Sequence, residues 1–142
     1  MIRKFKSSDL NIIMAIWLDE NIKAHNFISP EYWQNNYDYV KSVLPNAEIY
    51  VYADDENVTG FIGLNCGYIE GVFVRSLNQH KGAGTALINS AKKKYDELTL
   101  KVYCKNTKAI AFYTKNGFEI TEKGVDESTG EEEYTMMWKK EI

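Results

Sequence analysis

Apolar positions in the first third of the chain recur at helical spacing. Ser7 or Ser8 can cap a first helix whose apolar stripe falls at positions i, i+3, i+4, i+7 and i+8, namely Leu10, Ile13, Met14, Trp17 and Leu18. Ser29 followed by a proline is typical of an N-cap and a first helical position, and Pro45 ends the helix that starts there. The pattern therefore predicts two consecutive helices, the second over residues 31–44.

From residue 47 the hydrophobic period changes to two. Ile49, Val51 and Ala53 alternate with more polar neighbours, and a polar turn at residues 54–57 leads into the next strand. The remaining predicted elements are strands at residues 2–5, 58–64, 68–74, 98–102, 118–125 and 133–139, and helices at residues 83–95 and 106–117. This order predicts a mixed α/β domain with an antiparallel first half and a βαβ unit behind it.

Length and composition limit the classes of protein that fit. A chain of 142 residues is the common size for one compact domain, so a single domain is expected. The net charge of −3 argues against a nucleic-acid-binding surface, and no apolar run reaches the roughly 18 residues that span a bilayer. Without a signal-peptide stretch, a cytoplasmic location is expected. Cys66 and Cys104 lack CxxC spacing, so neither a metal site nor a disulfide is predicted.

A glycine-rich loop lies between a predicted strand and a predicted helix. Such a loop presents unpaired backbone N–H groups and the positive end of the helix dipole, which together bind phosphate. Gln79, Gly82 and Gly84 follow the spacing Gln-x-x-Gly-x-Gly. The dinucleotide fingerprint GxGxxG fails because Leu87 stands where its third glycine belongs, and the Gly-Lys-Ser/Thr ending of a P-loop is missing. The loop alone fits either a phosphate site or a plain strand-to-helix turn.

Two further patterns give the loop a context. Val72-x-Val74 precedes it by four residues, and downstream runs the pattern Asn106-x-x-Ala109-x-x-Phe112-Tyr113-x-x-x-Gly117-Phe118. In this order and at this distance the patterns resemble the GNAT superfamily of N-acetyltransferases, whose acyl-CoA loop reads Arg/Gln-x-x-Gly-x-Gly/Ala. The resemblance implies an α/β (α+β) fold with a mixed, mostly antiparallel central sheet of about seven strands, four helices, and strands splayed apart at the acyl-CoA site. His80 and Ser76 depart from the family, which often has glycine or arginine at the first position and proline at the second.

The resemblance also implies which residues hold the cofactor, acetyl-CoA. The backbone of Val72, Phe73 and Val74 would bond the pantetheine arm like an added strand, and Asn106 would reach the cofactor from the neighbouring helix. The pyrophosphate would lie on the backbone of the loop residues Gln79, His80, Lys81, Gly82, Ala83, Gly84 and Thr85. The side chain of Lys81 can bond the adenosine phosphates or be solvated.

Acetyl transfer to an amine needs a proton donor at the leaving thiolate, a donor for the oxyanion and a base. Tyr113 fits the first role, because a phenol with a pKa of about 10 stays protonated at pH 7, and the resemblance places it beside the sulfur. The backbone N–H of Val74 or its neighbour fits the second. Glu70 is predicted to share one strand face with Val72 and Val74, as the base or as a carboxylate that only binds the substrate's charge or is solvated.

His25 is the second candidate base. It lies between the first two helices, on the acceptor side that the resemblance implies, and its ordinary pKa of about 6.5 suits proton transfer. The alternative is a hydrogen-bonded structural histidine. The aromatic residues that can line the acceptor pocket, or simply pack in the core, are Trp17, Tyr32, Trp33 and Tyr50.

These residues together predict an acetyl-CoA-dependent N-acetyltransferase, a monomer or homodimer, that moves the acetyl group directly to a primary amine within a ternary complex. A covalent route through Cys66 or Cys104 is disfavoured, because no histidine is placed to activate either thiol. The main alternative function is a non-catalytic acyl-CoA-binding sensor or interaction module, and another is transfer of a longer acyl group. The acceptor is an amine-bearing small molecule or a protein amine.

Overall fold

The computed structural model describes residues 1–55 and 57–141. These residues form four α-helices and seven strands. The helices are α1 (Leu10–Ala24), α2 (Pro30–Val43), α3 (Ala83–Lys92) and α4 (Thr107–Lys115). The strands are β1 (Ile2–Lys4), β2 (Glu48–Asp54), β3 (Asn57–Asn65), β4 (Tyr68–Val74), β5 (Glu97–Tyr103), β6 (Glu119–Asp126) and β7 (Glu131–Lys139). Among the described residues, no helix has both the length and the apolar character needed to cross a bilayer.

All seven strands join one sheet in the order β1-β2-β3-β4-β5-β7-β6. Neighbouring strands are antiparallel except β4 and β5, which are parallel. Only two residue pairs join β4 to β5, namely Tyr68 with Thr99 and Ile69 with Leu100. Beyond these two pairs, β4 continues to Val74 and β5 to Tyr103 without pairing with each other. The two strands therefore splay apart. The mostly antiparallel seven-stranded sheet and its splayed pair confirm the predicted fold.

Two hydrophobic clusters cover opposite faces of the sheet. One cluster packs α1 and α2 on β2 and β3 and includes the fully buried Met14, and we call this side the α1–α2 face. The other packs α3 and α4 on the sheet around Leu87 and defines the α3–α4 face. Full burial of a side chain such as Leu87 contributes about 1.5–3 kcal/mol. Strand alternation places Phe73 against the first cluster and Val72 and Val74 against the second.

The predicted boundaries agree with the structure to within a few residues. The starts of α1 and α2 show one predicted cap that is correct and one that is not. Ser29 caps α2 as predicted, because its hydroxyl oxygen accepts a hydrogen bond from the backbone N–H of Glu31 at 3.3 Å. The prediction that Ser7 or Ser8 caps α1 is wrong, since both lie in a 3₁₀ turn. The carboxylate of Asp9 accepts from the backbone N–H of Lys6 at 2.8 Å and closes that turn before α1 begins.

Candidate active site

The gap between β4 and β5 exposes backbone groups of β4. The backbone N–H of Arg75 donates to the Thr59 carbonyl of β3 at 2.8 Å. Because hydrogen-bonding groups alternate along a strand, the backbone groups of Val72 and Val74 point away from β3 and toward the gap. The Val74 carbonyl already accepts from Nε2 of Gln79 at 2.9 Å. An extended ligand in the gap can therefore bond Val72 through both backbone groups and Val74 through its N–H.

The glycine-rich loop leads into the first turn of α3. His80 and Gly82 have left-handed φ angles of 65° and 87°, so the chain turns sharply before the helix begins at Ala83. The N–H of Ala86 is the first to find its acceptor within the helix, the Gly82 carbonyl at 2.9 Å, so the N–H groups of residues 83–85 have none there. A Cβ added at Gly82 would meet nothing within 4 Å, so the adjoining space is open. Unbonded N–H groups, the positive helix end and open space suit a phosphate group.

Gly84 has a packing role that the sequence does not reveal. A Cβ added there would lie 3.0 and 3.1 Å from ring carbons of Phe112 in α4. Such distances are shorter than most carbon contacts, so the Phe112 ring would have to shift by a few tenths of an ångström to admit a side chain. This glycine therefore lets the Phe112 ring of α4 pack closely against the start of α3.

Tyr113 lies in α4 and packs into the cluster on the α3–α4 face, with only 8% of its surface exposed. Gly117, at a φ of 92°, ends α4 so that the N–H of Phe118 donates to the Tyr113 carbonyl at 3.0 Å. Burial raises the pKa of Tyr113, the nearby Tyr68 adds to the rise, and no hydrogen bond to a described residue contributes. The hydroxyl group therefore keeps its proton at neutral pH.

A β-bulge at Glu70 reverses the predicted direction of its side chain. The register of β3 and β4 shifts beside Gly63, which leaves Glu70 as the extra residue of β4. A Cβ added at Gly63 would lie 3.6 Å from Cβ of Glu70, and both neighbours of Gly63 in β3 point to the α3–α4 face. Glu70 therefore lies on the α1–α2 face. The prediction that it shares a face with Val72 and Val74 is wrong, because the bulge breaks the alternation.

Glu70 belongs to an acidic part of the α1–α2 face. Burial, together with the charges of Glu70, Glu133 and Asp126, raises the pKa of Tyr68 to about 12. Asp126 also accepts a hydrogen bond of 2.6 Å from the hydroxyl group of Tyr103, at the end of β5. Glu133 is paired with the ammonium group of Lys101 at 3.8 Å, so Glu70 and Asp126 are the carboxylates here whose negative potential can attract a cation. Nothing local to Tyr68, Tyr103 or Asp126 in the sequence shows that these three residues meet.

Both ring nitrogens of His25 are engaged. Nδ1 lies 3.0 Å from the Asn21 carbonyl oxygen, which can only accept, so Nδ1 carries the proton. Nε2 therefore accepts from Nδ2 of Asn106, 3.1 Å away. Burial lowers the pKa of His25 and keeps the ring neutral at pH 7. With both nitrogens bonded, His25 offers no free lone pair to an amine, and this geometry favours the structural alternative over the predicted base.

The side chain of Asn106 is used within the protein. Its Oδ1 accepts from the backbone N–H of Ala109 at 3.2 Å, which is the predicted N-cap of α4. Its Nδ2 donates to His25, and its backbone carbonyl accepts from the N–H of Ile110 at 3.1 Å. One hydrogen of Nδ2 remains for a cofactor. The predicted contact of Asn106 with the cofactor thus depends on that single donor.

Aromatic rings surround His25 on the α1–α2 face. Trp33 stacks on its ring with centroids 5.2 Å apart, and Tyr103 meets it edge-on at the same distance. The hydroxyl groups of Tyr32 and Ser128 lie 2.9 Å apart, which ties α2 to the turn between β6 and β7. The predicted acceptor-side residues Tyr32 and Trp33 are therefore next to the end of β5 and the edge of the gap.

Other predicted candidates lie elsewhere. Tyr50 packs in the cluster on the α3–α4 face and donates to Glu48 at 2.6 Å, which favours the packing alternative over a place in an acceptor pocket. Trp17 packs against the core of the α1–α2 face, as the packing alternative requires. Cys66 and Cys104 are free thiols.

Comparison with known proteins identifies the family. Residues 45–120 match the family model of the acetyltransferase (GNAT) domain. The chain is 31% identical over 140 residues to peptidyl-lysine N-acetyltransferase YiaC of Escherichia coli (strain K12), covering 97% of this chain and 96% of that protein. It is also 31% identical over 121 residues to peptidyl-lysine N-acetyltransferase YjaB of the same strain, covering 84% and 82%. The solution structure of apo-form YjaB from Escherichia coli has the same fold, with a TM-score of 0.87 at 27% identity over 99% of this chain and 98% of that one. The chain therefore belongs to the GNAT family and is an N-acetyltransferase.

Proposed function

We propose that this enzyme moves the acetyl group of acetyl-CoA directly to a primary amine while both substrates are bound. Membership of the GNAT family implies acetyl-CoA as the co-substrate. The observation that carries the proposal is the gap between β4 and β5. The glycine-rich loop follows β4 at its open end, and Tyr113 lies near Tyr68 at its closed end, since the charge of Tyr68 affects the pKa of Tyr113.

The cofactor is proposed to lie along β4 with its phosphates at the loop. The pantetheine arm bonds the carbonyl of Val72 and the N–H of Val74, which point into the gap. The pyrophosphate takes the N–H groups at the start of α3, including those of residues 83–85 that have no acceptor in the helix. The thioester then lies at the end of the gap nearest Tyr113.

The transfer proceeds by direct attack. The neutral amine nitrogen attacks the thioester carbonyl carbon and forms the C–N bond, and the oxyanion accepts from the N–H of Val72. An electron pair of the oxyanion then re-forms the C=O bond and the C–S bond breaks. The leaving thiolate accepts first a hydrogen bond and then a proton from Tyr113. Because its raised pKa makes Tyr113 a weaker acid than a thiol with a pKa of about 8.5, Tyr113 passes on its proton only as it takes up the proton that the nitrogen loses on forming the amide.

Glu70 is proposed to take one proton from the incoming ammonium group, directly or through water, so that the amine is neutral when it attacks. Its position on the bulge places the carboxylate on the α1–α2 face, beside the point where β4 leaves β5. The backbone groups of β4 that contact the cofactor lie in the plane of the sheet. An amine that approaches from the α1–α2 face therefore meets Glu70 before it reaches the thioester. His25 is not used in this mechanism, because its two ring nitrogens are already bonded.

A lysine side chain of a protein is the acceptor that we propose. Two relatives bear the name peptidyl-lysine N-acetyltransferase. The carboxylates of Glu70 and Asp126 lie near Tyr68 and create a negative potential that attracts an ammonium group, while Glu133 is paired with Lys101. β6, at the edge of the sheet beyond them, is exposed along nearly its whole length and leaves room for a polypeptide.

Initial-rate kinetics test the proposed mechanism. Thiol release is measured while acetyl-CoA and a lysine-containing peptide are both varied. Intersecting double-reciprocal lines are expected for a ternary complex, whereas parallel lines indicate a covalent acetyl-enzyme and contradict direct attack. Binding of CoA without turnover on a panel of amines would identify the chain as a sensor rather than an enzyme. Propionyl-CoA as a second donor measures the preference for acyl-chain length.

A further inference from the structure

Glu20 is a buried carboxylate on α1 that the proposed transfer does not use. Its exposed fraction is 8%, and a buried charge is costly unless hydrogen bonds satisfy it. The ammonium group of Lys23 stands 3.8 Å from its Oε2, which is at the outer limit of an ion pair. Its hydrogen bonds go instead to the segment that joins β4 to the glycine-rich loop.

Both oxygens of Glu20 accept hydrogen bonds from that segment. Ser76 donates its backbone N–H to Oε2 at 3.3 Å and its hydroxyl group to Oε1 at 3.0 Å. Nε2 of Gln79 donates to Oε1 at 3.2 Å. The same nitrogen donates to the Val74 carbonyl at 2.9 Å, so Gln79 uses both of its amide hydrogens here. The segment is therefore tied to α1 and to the end of β4 at once.

This anchoring sets the conformation of the loop that follows. Gln79 directly precedes His80, whose left-handed φ of 65° is unfavourable for a residue with a Cβ. A loop held in such a conformation relaxes when its anchor is removed. A ligand then has to order the loop N–H groups as it binds, and the cost of that ordering weakens its affinity.

We propose that Glu20 is a positioning residue, which holds Ser76 and Gln79 so that the loop N–H groups are ready to bind the acyl-CoA pyrophosphate. The proposal rests on the cofactor site of the proposed function. Ser76 stands where many members of the family have proline, and a proline would supply neither the N–H nor the hydroxyl group that Glu20 accepts. The carboxylate on α1 and the serine on the loop thus form a matched pair.

The test compares three single variants. We expect Glu20→Gln, which keeps the size of the side chain, to weaken CoA binding about tenfold, the effect of losing one charge-assisted hydrogen bond. Ser76→Ala should weaken it several-fold. Asp19→Ala removes an exposed carboxylate from the adjacent position of α1 and should leave binding unchanged. Calorimetry measures the Kd of CoA, and steady-state rates should show a raised KM for acetyl-CoA with kcat within about twofold of the wild-type value.

A double variant separates positioning from general destabilisation. Glu20→Gln combined with Ser76→Ala should bind CoA little worse than Glu20→Gln alone, because both changes remove the same contact. If the wild type binds CoA and both single variants bind it equally well, the positioning role is overturned while the cofactor site stands. If the wild type does not bind CoA, the proposed function itself fails. Ser76 is exposed, so Ser76→Ala keeps the test decisive even where a Glu20 variant does not fold.

Discussion

The side-chain amide of Asn106 donates to Nε2 of His25 across 3.1 Å and joins the first turn of α4 to the end of α1. The side-chain amide of Asn106 cannot flip its oxygen toward His25, because Oδ1 already accepts from the N–H of Ala109 at 3.2 Å. That cap fixes the tautomer of the histidine. Helix α1 also bonds the start of the glycine-rich loop through Glu20. It therefore contacts both sides of the gap in which we place the cofactor.

His25→Gln should flatten the pH dependence of stability. Burial lowers the folded-state pKa of His25 below its unfolded value of about 6.5, so the unfolded state takes up the proton first as the pH falls. The wild type therefore loses stability below about pH 6.5. His25→Gln should cost about 1 kcal/mol at pH 7, from one lost hydrogen bond, and lose less between pH 6.5 and 5. Urea unfolding of both proteins at these pH values measures the difference, and equal losses would show that His25 is not held neutral.

Gly82→Asp and Gly82→Asn should separate charge from backbone strain. Both residues tolerate a left-handed φ better than most and have the same size, but only aspartate places a negative charge at the proposed pyrophosphate site. CoA at a hundredfold excess over its Kd should stabilise the wild type by about 2.7 kcal/mol. In thermal melts with and without CoA, we expect a reduced shift for the asparagine variant and none for the aspartate variant. Equal shifts in the two variants would argue against an anion site.

Glu70→Gln should lower the rate at neutral pH and recover part of it as the pH rises. An amide cannot accept the amine's proton, but at higher pH more of the acceptor is already neutral and needs no base. We expect a loss of about 10²-fold at pH 7 that shrinks toward pH 9.5. Glu97→Gln, an exposed carboxylate at the start of β5, is the matched control and should behave as the wild type. A loss of the same size at every pH would assign Glu70 to substrate binding instead.

Tyr113→Phe should reduce kcat with little change in CoA binding. Only the hydroxyl group is lost, so packing in the cluster on the α3–α4 face is kept, while loss of a general acid typically costs 10²- to 10⁴-fold. The values of kcat and kcat/KM should fall together, as they do when an interaction is made only in the transition state. Tyr39→Phe, at a tyrosine with 67% exposure, is the control. If single-turnover rates of Tyr113→Phe match the wild type, the tyrosine is a packing residue.

The order of elements could be predicted because each helix and strand carries its own apolar period. Ser29 and Asn106 are local caps, and the pattern around Gly82 is contiguous, so these features are visible within a few residues. The splay of β4 and β5 was implied by the family resemblance rather than by any local pattern. The sequence therefore predicted the fold and the parts of the candidate site that depend on neighbours in the chain.

The remaining features depend on contacts between distant segments. The bulge that redirects Glu70 follows from the register of β3 on β4, which no single strand encodes. His25 meets Asn106 across 81 residues, and Glu20 meets Ser76 across 56. A histidine beside an aromatic residue fits a base as well as a structural residue, until the partners of both nitrogens are known. Only the folded arrangement reveals those partners.

Acetylation of a lysine-containing peptide by the wild-type protein is the most direct measurement. The protein is incubated with acetyl-CoA with and without the peptide, thiol release is followed, and mass spectrometry locates the acetyl group. We predict one acetyl group on the lysine ε-amine for each thiol released, and no acetylated protein when the peptide is left out. Binding of acetyl-CoA with no transfer to any amine tested, or an acetyl group on Cys66 or Cys104 before the peptide is added, would contradict direct transfer.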